Sequence, residues 1–351
     1  MRVLYSGFNM YGQIIHEAEC VVKTIKEFEY AEVGDLELAY SYLLIKTNSD
    51  SFEVHGAISS TDEKTTRTLD FPEIKKDTVQ FSCCHKWCLF LTKSGEIFKW
   101  EIANPDKVGL LPSLVSSDDD DDKVSKIRCG SHITVASSFK GKIFNVPNLL
   151  EHRIPNLKDF CVGNEHCILL DTTGNVYSFG RGRIWCSSRG QLGHGNLNDE
   201  SEPKLVEALA GIKIISVASG GWHSCALSAD GDLYIWGWNS NGQLGLASKD
   251  SHSAATEAVS VMATPHPVEL FGNQVDSNVV QMACGSRHTI ALLDNNELYG
   301  CGWNKYNQLG ISSPATENIH KMTKIIDLNR RSSKMQLKCG PWATAVLLFL
   351  E

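Results

Sequence analysis

A unit that recurs along this chain is cut in two by its ends. Residues 339–347, Cys-Gly-Pro-Trp-Ala-Thr-Ala-Val-Leu, copy the first half of a unit seen whole further upstream, at 219–227, Ser-Gly-Gly-Trp-His-Ser-Cys-Ala-Leu. Residues 4–14 copy its second half, seen at 233–244, Leu-Tyr-Ile-Trp-Gly-Trp-Asn-Ser-Asn-Gly-Gln-Leu. Set in register without gaps, Glu351 and Met1 both fall on the position of Gly231, a predicted hairpin turn. A repeat split in this way suits a ring that closes by pairing its terminal strands in one sheet, which removes exposed sheet edges. A solenoid, the competing repeat architecture, calls for atypical polar caps at both ends. The complementary half-repeats favour the ring.

Each unit has an anchor, a turn residue eight positions later and, in most copies, a glycine fourteen later. The anchors are Tyr42, Trp87, Ile133, His166, His223, His288 and Ala343. The turn residues are Asp50, Gly95, Gly141, Gly174, Gly231, Asn296 and the chain junction, and the six named residues are of types that tolerate positive φ. The fourteenth position reads Gly56, Glu101, Pro147, Gly180, Gly237, Gly302 and Gly7. The flanking segments are rich in β-branched and aromatic residues, so the unit predicts strand, tight turn, strand. Four units add a Gly-Gln-Leu-Gly-like tetrad, starting at Gly12, Gly190, Gly242 and Asn307; the units from Tyr42 to Pro147 lack it and are placed by register alone.

Seven units in 351 residues give about 50 residues each, the range of four-stranded propeller blades. The sequence therefore predicts an all-β, seven-bladed β-propeller as a single domain over 1–351. Its repeat cores fall at about 36–57, 81–101, 127–147, 160–195, 217–246 and 282–311, with 337–351 joined to 1–14. The 33 residues from Ile133 to His166 are few for a blade and its connections, so that blade is expected to have lost or shortened its outer strand.

Hydrophobic residues make up 42% of the chain and charged residues 21%, enough for a sizeable core, and the net charge is −8. That sign argues against DNA as the principal ligand. No signal-peptide pattern opens the chain, and the apolar run 345–350 is too short for a bilayer. A soluble intracellular protein without membrane contact is expected. The twelve cysteines fall largely at repeat positions, which reads as reduced core filler rather than a disulfide framework.

The combination Gly-Gly-Trp-His-Ser, Trp-Gly-Trp-Asn, Gly-Gln-Leu-Gly and Cys-Gly-Ser-Arg-His-Thr resembles the regulator of chromosome condensation (RCC) repeat. The resemblance is direct over 160–351 and 1–14 and follows by register over 36–147. It implies a seven-bladed propeller closed by its chain ends. More narrowly, the order of motifs, including Arg-Gly-Gln-Leu-Gly-His-Gly at 189–195 and Cys-Gly-Pro-Trp at 339–342, resembles small stand-alone RCC-domain members that partner a JmjC-domain histone-modifying oxygenase. This resemblance implies a nuclear, chromatin-associated adaptor, present in the cytoplasm as well, with the oxygenase and histones as protein partners and a monomeric propeller. The family's founding member instead exchanges guanine nucleotide on a Ran-like GTPase, which is the alternative function. Members that sense ultraviolet light use a Gly-Trp-Arg-His-Thr motif that is nowhere intact here, which argues against photoreception.

No catalytic signature appears: there is no P-loop, dinucleotide fingerprint, nucleophile elbow or His-Glu-x-x-His. The expectation is no catalytic residue, no cofactor and no metal. His166, His223 and His288 recur in different blades and are expected to be structural, each satisfied within its own blade. The group Cys83, Cys84, His85 and Cys88 has metal-like residue types but no second paired half.

The informative departure is an insertion. The fourteenth-position glycine and the tetrad are five residues apart in three units but ten apart from Gly180 to Gly190. The inserted loop contains Arg181, Arg183, Ile184, Trp185 and Arg189, the composition of an interface hot spot, weighed evenly against a loop whose tryptophan folds back on its blade. An acidic run, Asp118, Asp119, Asp120, Asp121 and Asp122, reads first as a solvated loop, then as a clamp for a basic tail or a phosphorylation context. A second insertion, about 247–267, carrying His252 and His266, reads as a mobile surface loop. Trp100, Trp222, Trp236, Trp238, Trp303 and Trp342 are expected mostly to pack between blades. With both chain ends meeting at one turn, no residues are left for a tail or anchor, and function is expected to fall to the loops and faces of the ring.

Overall fold

The computed structural model describes residues 2–349 except 15–16, 30–32, 58–64, 76, 116–121, 182, 185–186, 247–258, 270–276, 312–316 and 329–333. Seven four-stranded antiparallel sheets form the blades of a propeller. We number them I to VII by the anchors Tyr42, Trp87, Ile133, His166, His223, His288 and Ala343. Blade V shows the plan, running from Ile214–Ser219 through His223–Ser228 and Leu233–Trp238 to Val261–Pro267. The first strands of successive blades touch one another, which places them innermost around the axis.

The anchors open the second strand of every blade except III, whose strand Thr134–Ser138 starts one residue later. The predicted turn residues have positive φ, including the non-glycines Asp50 at 58° and Asn296 at 66°. Asp and Asn hold that left-handed conformation at lower cost than other L-residues. Blade III keeps its outer strand in shortened form, Asn148–Leu149. Blade VII takes Lys334–Gly340 and Ala343–Phe349 from the end of the chain and Arg2–Phe8 and Val21–Glu29 from its start. The seam pairs Val3 with Leu347 and Gly7 with Ala343.

The expected mobile insertion at 247–267 is corrected in part. Val261–Pro267 is the outer strand of blade V, with His266 paired to Ile235, while His252 lies outside the described residues. Pairing to the neighbouring strand satisfies this backbone, and the strand was hidden in the sequence by its two prolines, Pro265 and Pro267, which read as breakers.

Each blade is buried on both faces. Every residue of His166–Asp171 is buried, because alternate side chains serve different junctions. Cys167 and Leu169 pack with Val135 and Ile143 of blade III, whereas Ile168 and Leu170 pack with Ala226 and Trp236 of blade V. A strand buried on both sides reads as a continuous apolar run rather than an alternation. The described core divides into seven clusters, each shared by two adjacent blades. Burying one such Leu, Ile or Phe contributes about 1.5–3 kcal/mol.

The histidines do not satisfy themselves within their own blades, as expected from the sequence; they tie each blade to the next. His166 Nε2 lies 2.9 Å from Ser224 Oγ, His223 Nε2 2.9 Å from Thr289 Oγ1, and His288 Nε2 3.2 Å from Thr344 Oγ1. The hydroxyls continue the chain: Ser224 Oγ donates to the Gln191 carbonyl and Thr289 Oγ1 to the Gln243 carbonyl, both in tetrads. In blade I the same position holds Tyr42, whose hydroxyl donates to the Cys84 carbonyl of blade II at 2.7 Å. The glycine three residues before each histidine is required by this packing. A Cβ at Gly285 would stand 2.0 Å from His288 Cε1 and 2.7 Å from the Gly340 carbonyl oxygen.

Burial, with a smaller repulsion from His223, lowers His166 and His288 to about 3. The unfolded chain therefore binds these protons more tightly than the folded one. Their stabilisation is complete above the ordinary histidine value near 6.5 and is lost as pH falls from there towards 3. Urea unfolding should show stability dropping below pH 6.5 by about 1.4 kcal/mol per pH unit for each of the two. The double variant His166→Gln, His288→Gln should flatten that slope; an unaltered slope contradicts the assignment. Gly285→Ala should destabilise by about 1–3 kcal/mol through overpacking, measured in the same way.

Candidate partner-binding face

At one end of six blades, all but III, the residue just before the anchor meets the residue just after the fourteenth position. The backbone imposes this: the N–H of Trp238 donates to the Trp222 carbonyl, that of Trp303 to Arg287, that of Phe8 to Trp342, and that of Arg181 to Glu165. The side chains at these paired positions are thus held side by side on one face of the ring. In blades I and II the pairs are Ser41 with Ala57 and Lys86 with Ile102, and the corresponding positions of blade III hold His132 and Asn148. In blades V, VI and VII they are Trp222 with Trp238, Arg287 with Trp303, and Trp342 with Phe8.

Those three blades build an arc of aromatic rings and guanidinium groups. Trp222 and Trp238 meet edge to face at 5.5 Å. Arg287 lies 5.0 Å from the Trp238 ring and 5.4 Å from the Trp303 ring. Trp303 and Trp342 meet at 5.8 Å, and Tyr306 stacks on Trp342 at 5.2 Å. Phe8, Tyr11 and Tyr40 extend the arc to blade I, with Tyr40 4.7 Å from Trp342. Trp222, Trp238, Trp303 and Trp342 are half-buried, unlike Trp100 and Trp236, which are sealed in the core. Trp100 and Trp236 pack in the core between blades, as expected for most of the six, whereas the other four stand half-buried at strand ends, with Trp303 meeting Trp342 across the junction of blades VI and VII.

Arg189 joins this arc. Its guanidinium lies 4.3 Å from both the Trp222 and the Trp238 ring. The reason is register: Arg189 immediately precedes its tetrad, as Tyr11 and Tyr306 precede theirs, and all three lie against the arc. Its Nε and Nη1 are buried without a hydrogen-bond partner. Burial lowers its pKa, repulsion from Arg287 lowers it further, and Glu165 opposes both. Burial likewise lowers Arg287. Arginine remains charged under such shifts, so two cations share one aromatic cluster.

The other expected site residues separate. Arg181 pairs with Glu165 at 3.6 Å and its side chain is 64% exposed. Arg183 and Ile184 form a two-residue strand paired to Ser188 and Ser187, and Trp185 lies outside the described residues. Of the acidic run, Asp118, Asp119, Asp120 and Asp121 lie outside the described residues. Asp122 is no part of a solvated loop: it is buried, 3.5 Å from Lys142 Nζ, and accepts the Lys140 N–H. Fixing that N–H and the lysine gives Asp122 partners that a solvated carboxylate lacks. Cys83 and Cys88 face one another at 3.0 Å, but His85 is exposed. Among the described residues one group offers three metal ligands within reach, His223, Cys225 and Cys284.

Sequence reasoning missed Phe8, Tyr11, Tyr40, Arg287 and Tyr306 as site residues. The available signal was positional: aligning the residues that flank the anchor and the fourteenth position shows aromatic or arginine side chains in three successive units.

Residues 173–227 and 230–292 match the regulator of chromosome condensation (RCC1) repeat, and a second model of the same repeat matches 214–243 and 279–308. The chain is 39% identical over 218 residues to human RCC1 domain-containing protein 1, covering 53% of this chain and 54% of that protein. It thus spans about half the length of that relative. It is 28% identical over 282 residues to the ultraviolet-B receptor UVR8 of Arabidopsis thaliana, covering 73% of this chain and 60% of the receptor. In fold it is similar to Prp20p of Saccharomyces cerevisiae, with TM-score 0.78 at 16% identity over 99% of this chain and 92% of that one. Human WBSCR16 gives TM-score 0.76 at 16% identity, covering 99% of each chain.

The arc has a stability signature. Arg189→Ala and Arg287→Ala should each cost about 0.5–2 kcal/mol of cation–π stabilisation in urea unfolding. Because the two cations repel, each single variant also relieves that repulsion, so the double variant should lose more than the sum of the singles; strict additivity would show that they do not share one cluster.

Proposed function

We propose that this propeller of RCC1 repeats is a non-enzymatic adaptor in chromatin organisation, binding and regulating a JmjC-domain histone lysine demethylase or hydroxylase in the nucleus. The observation that carries the adaptor reading is the half-buried arc of Trp222, Trp238, Trp303, Trp342, Arg189 and Arg287 on one face. Tryptophan, tyrosine and arginine dominate the binding energy of protein interfaces because they bury large areas at low entropic cost. Clustered on one half of a rigid ring, they form a surface preorganised for a partner, and preorganisation cuts the cost of association. The choice of partner rests on the resemblance to stand-alone RCC-domain members and on the identity to RCC1 domain-containing protein 1. Arg181, Arg183, Ile184 and Trp185, from the insertion after Gly180, are assigned to the same partner. The run Asp118 to Asp121 is assigned to basic histone segments.

Pull-down of the JmjC oxygenase tests this. The pair Arg189→Glu, Arg287→Glu should lower recovery at least tenfold. Arg183→Ala with Trp185→Ala should weaken it with no change in melting temperature. Undiminished recovery by both pairs would sink the assignment of this face.

The second reading is a guanine-nucleotide exchange factor. It is favoured by the full-length likeness to Prp20p, whose described binding properties concern Gsp1p and histones. A nucleotide-release assay with a Ran-like GTPase separates the readings: accelerated release would replace the adaptor by the exchange factor.

A further inference from the structure

The junction of blades V and VI differs chemically from its two siblings. At all three histidine junctions the ring reaches a hydroxyl of the next blade. Two further positions lie beside each ring: the residue two after the histidine on the same strand, and the residue four before the next blade's anchor. Beside His166 these are Ile168 and Ser219, and beside His288 they are Ile290 and Cys339. Beside His223 both are cysteines, Cys225 and Cys284. The bridging task of the histidine is therefore met twice without a pair of sulfurs.

The geometry here is that of a ligand set. A ring nitrogen of His223 and the two sulfurs lie within 4.8 Å of one another, and Cys225 Sγ is 3.3 Å from Cys284 Sγ. Zinc bonds of about 2.3 Å to sulfur and 2.0–2.1 Å to nitrogen put tetrahedral thiolates roughly 3.7 Å apart, within a small adjustment of the present spacing. Cysteine and imidazole together select thiophilic ions over the hard cations that carboxylates hold. Cys284 sits on an innermost strand and is only partly buried.

We propose that His223, Cys225 and Cys284 form an inter-blade binding site for a thiophilic d10 cation, zinc(II) or copper(I), that clamps blade V to blade VI. Binding forms two metal–sulfur bonds and one metal–nitrogen bond, and the protons of whichever thiols are still protonated pass to solvent without any change of oxidation state. Neither the aromatic arc nor the adaptor reading is involved, so this site stands or falls separately from them.

The full chain, reduced and freed of metal, is titrated anaerobically with cobalt(II) alone, then with zinc(II) and with copper(I), each against a competing chelator. The expected result is one equivalent of cobalt showing thiolate charge-transfer absorption and tetrahedral ligand-field bands. Affinity should fall at least tenfold in Cys225→Ser and in Cys284→Ala and stay unchanged in Cys339→Ser. Tighter retention of zinc or of copper identifies the ion. X-ray absorption on the metal-loaded wild type should count two sulfurs and one imidazole, a readout that does not depend on the variants folding. Equal binding by the Cys225→Ser, Cys284→Ala double variant, a shell without sulfur, or a disulfide between the two cysteines in the reduced preparation would each overturn the site.

Discussion

The structure depends on one constraint: every blade must be covered on both faces. A single four-stranded sheet exposing strands such as His166–Asp171 or His223–Ser228 on either side would leave six consecutive buried-type residues in water. Each blade covers one face of each of its two neighbours, so the requirement is passed around the ring. It is discharged only when blade VII meets blade I, in the cluster that joins Val3, Tyr5 and Leu347 to Leu36, Leu43 and Ile45. The seam between Arg2–Phe8 and Ala343–Phe349 is therefore the place where a periodic chain becomes a finite one.

Hydrophobic burial alone does not set the angle between blades, since it has no direction. The direction comes from polar bridges: His166 to Ser224, His223 to Thr289, His288 to Thr344 and Tyr42 to the Cys84 carbonyl. These buried groups are costly unless paired, and their partners exist only when adjacent blades are docked in register. The glycine beneath each ring completes the device by leaving room for the imidazole and for the next blade's backbone.

A scaffold so committed inside leaves its strand ends as the variable surface. The same backbone hydrogen bond that sets Trp238 beside Trp222 sets Ala57 beside Ser41. Blades I and II thus carry Ser41 with Ala57 and Lys86 with Ile102 where blades V to VII carry pairs of aromatic rings or of a ring and a guanidinium. The chemical asymmetry of this face is written by side chains on a symmetric frame, which is how one fold can host unrelated partners.

Much of the fold was legible because the signals are local and repeated. Asp50, Gly95, Gly141, Gly174, Gly231 and Asn296 mark turns by their backbone tolerance, and the anchors mark strand starts by spacing. The outer strand of blade V was not legible, since Val261–Pro267 is held by pairing rather than by an apolar pattern. Of the site, the insertion after Gly180 was visible but the arc was not: Arg189 lies far in sequence from Trp222, Trp238 and Arg287. By itself the sequence determined the period, the turns and the ring, because those follow from the conformational preferences of neighbouring residues. Only the tertiary structure decided which residues meet across blades. The stacking of Arg189 on Trp222 and the convergence of His223, Cys225 and Cys284 are contacts that only the docking of adjacent blades brings together.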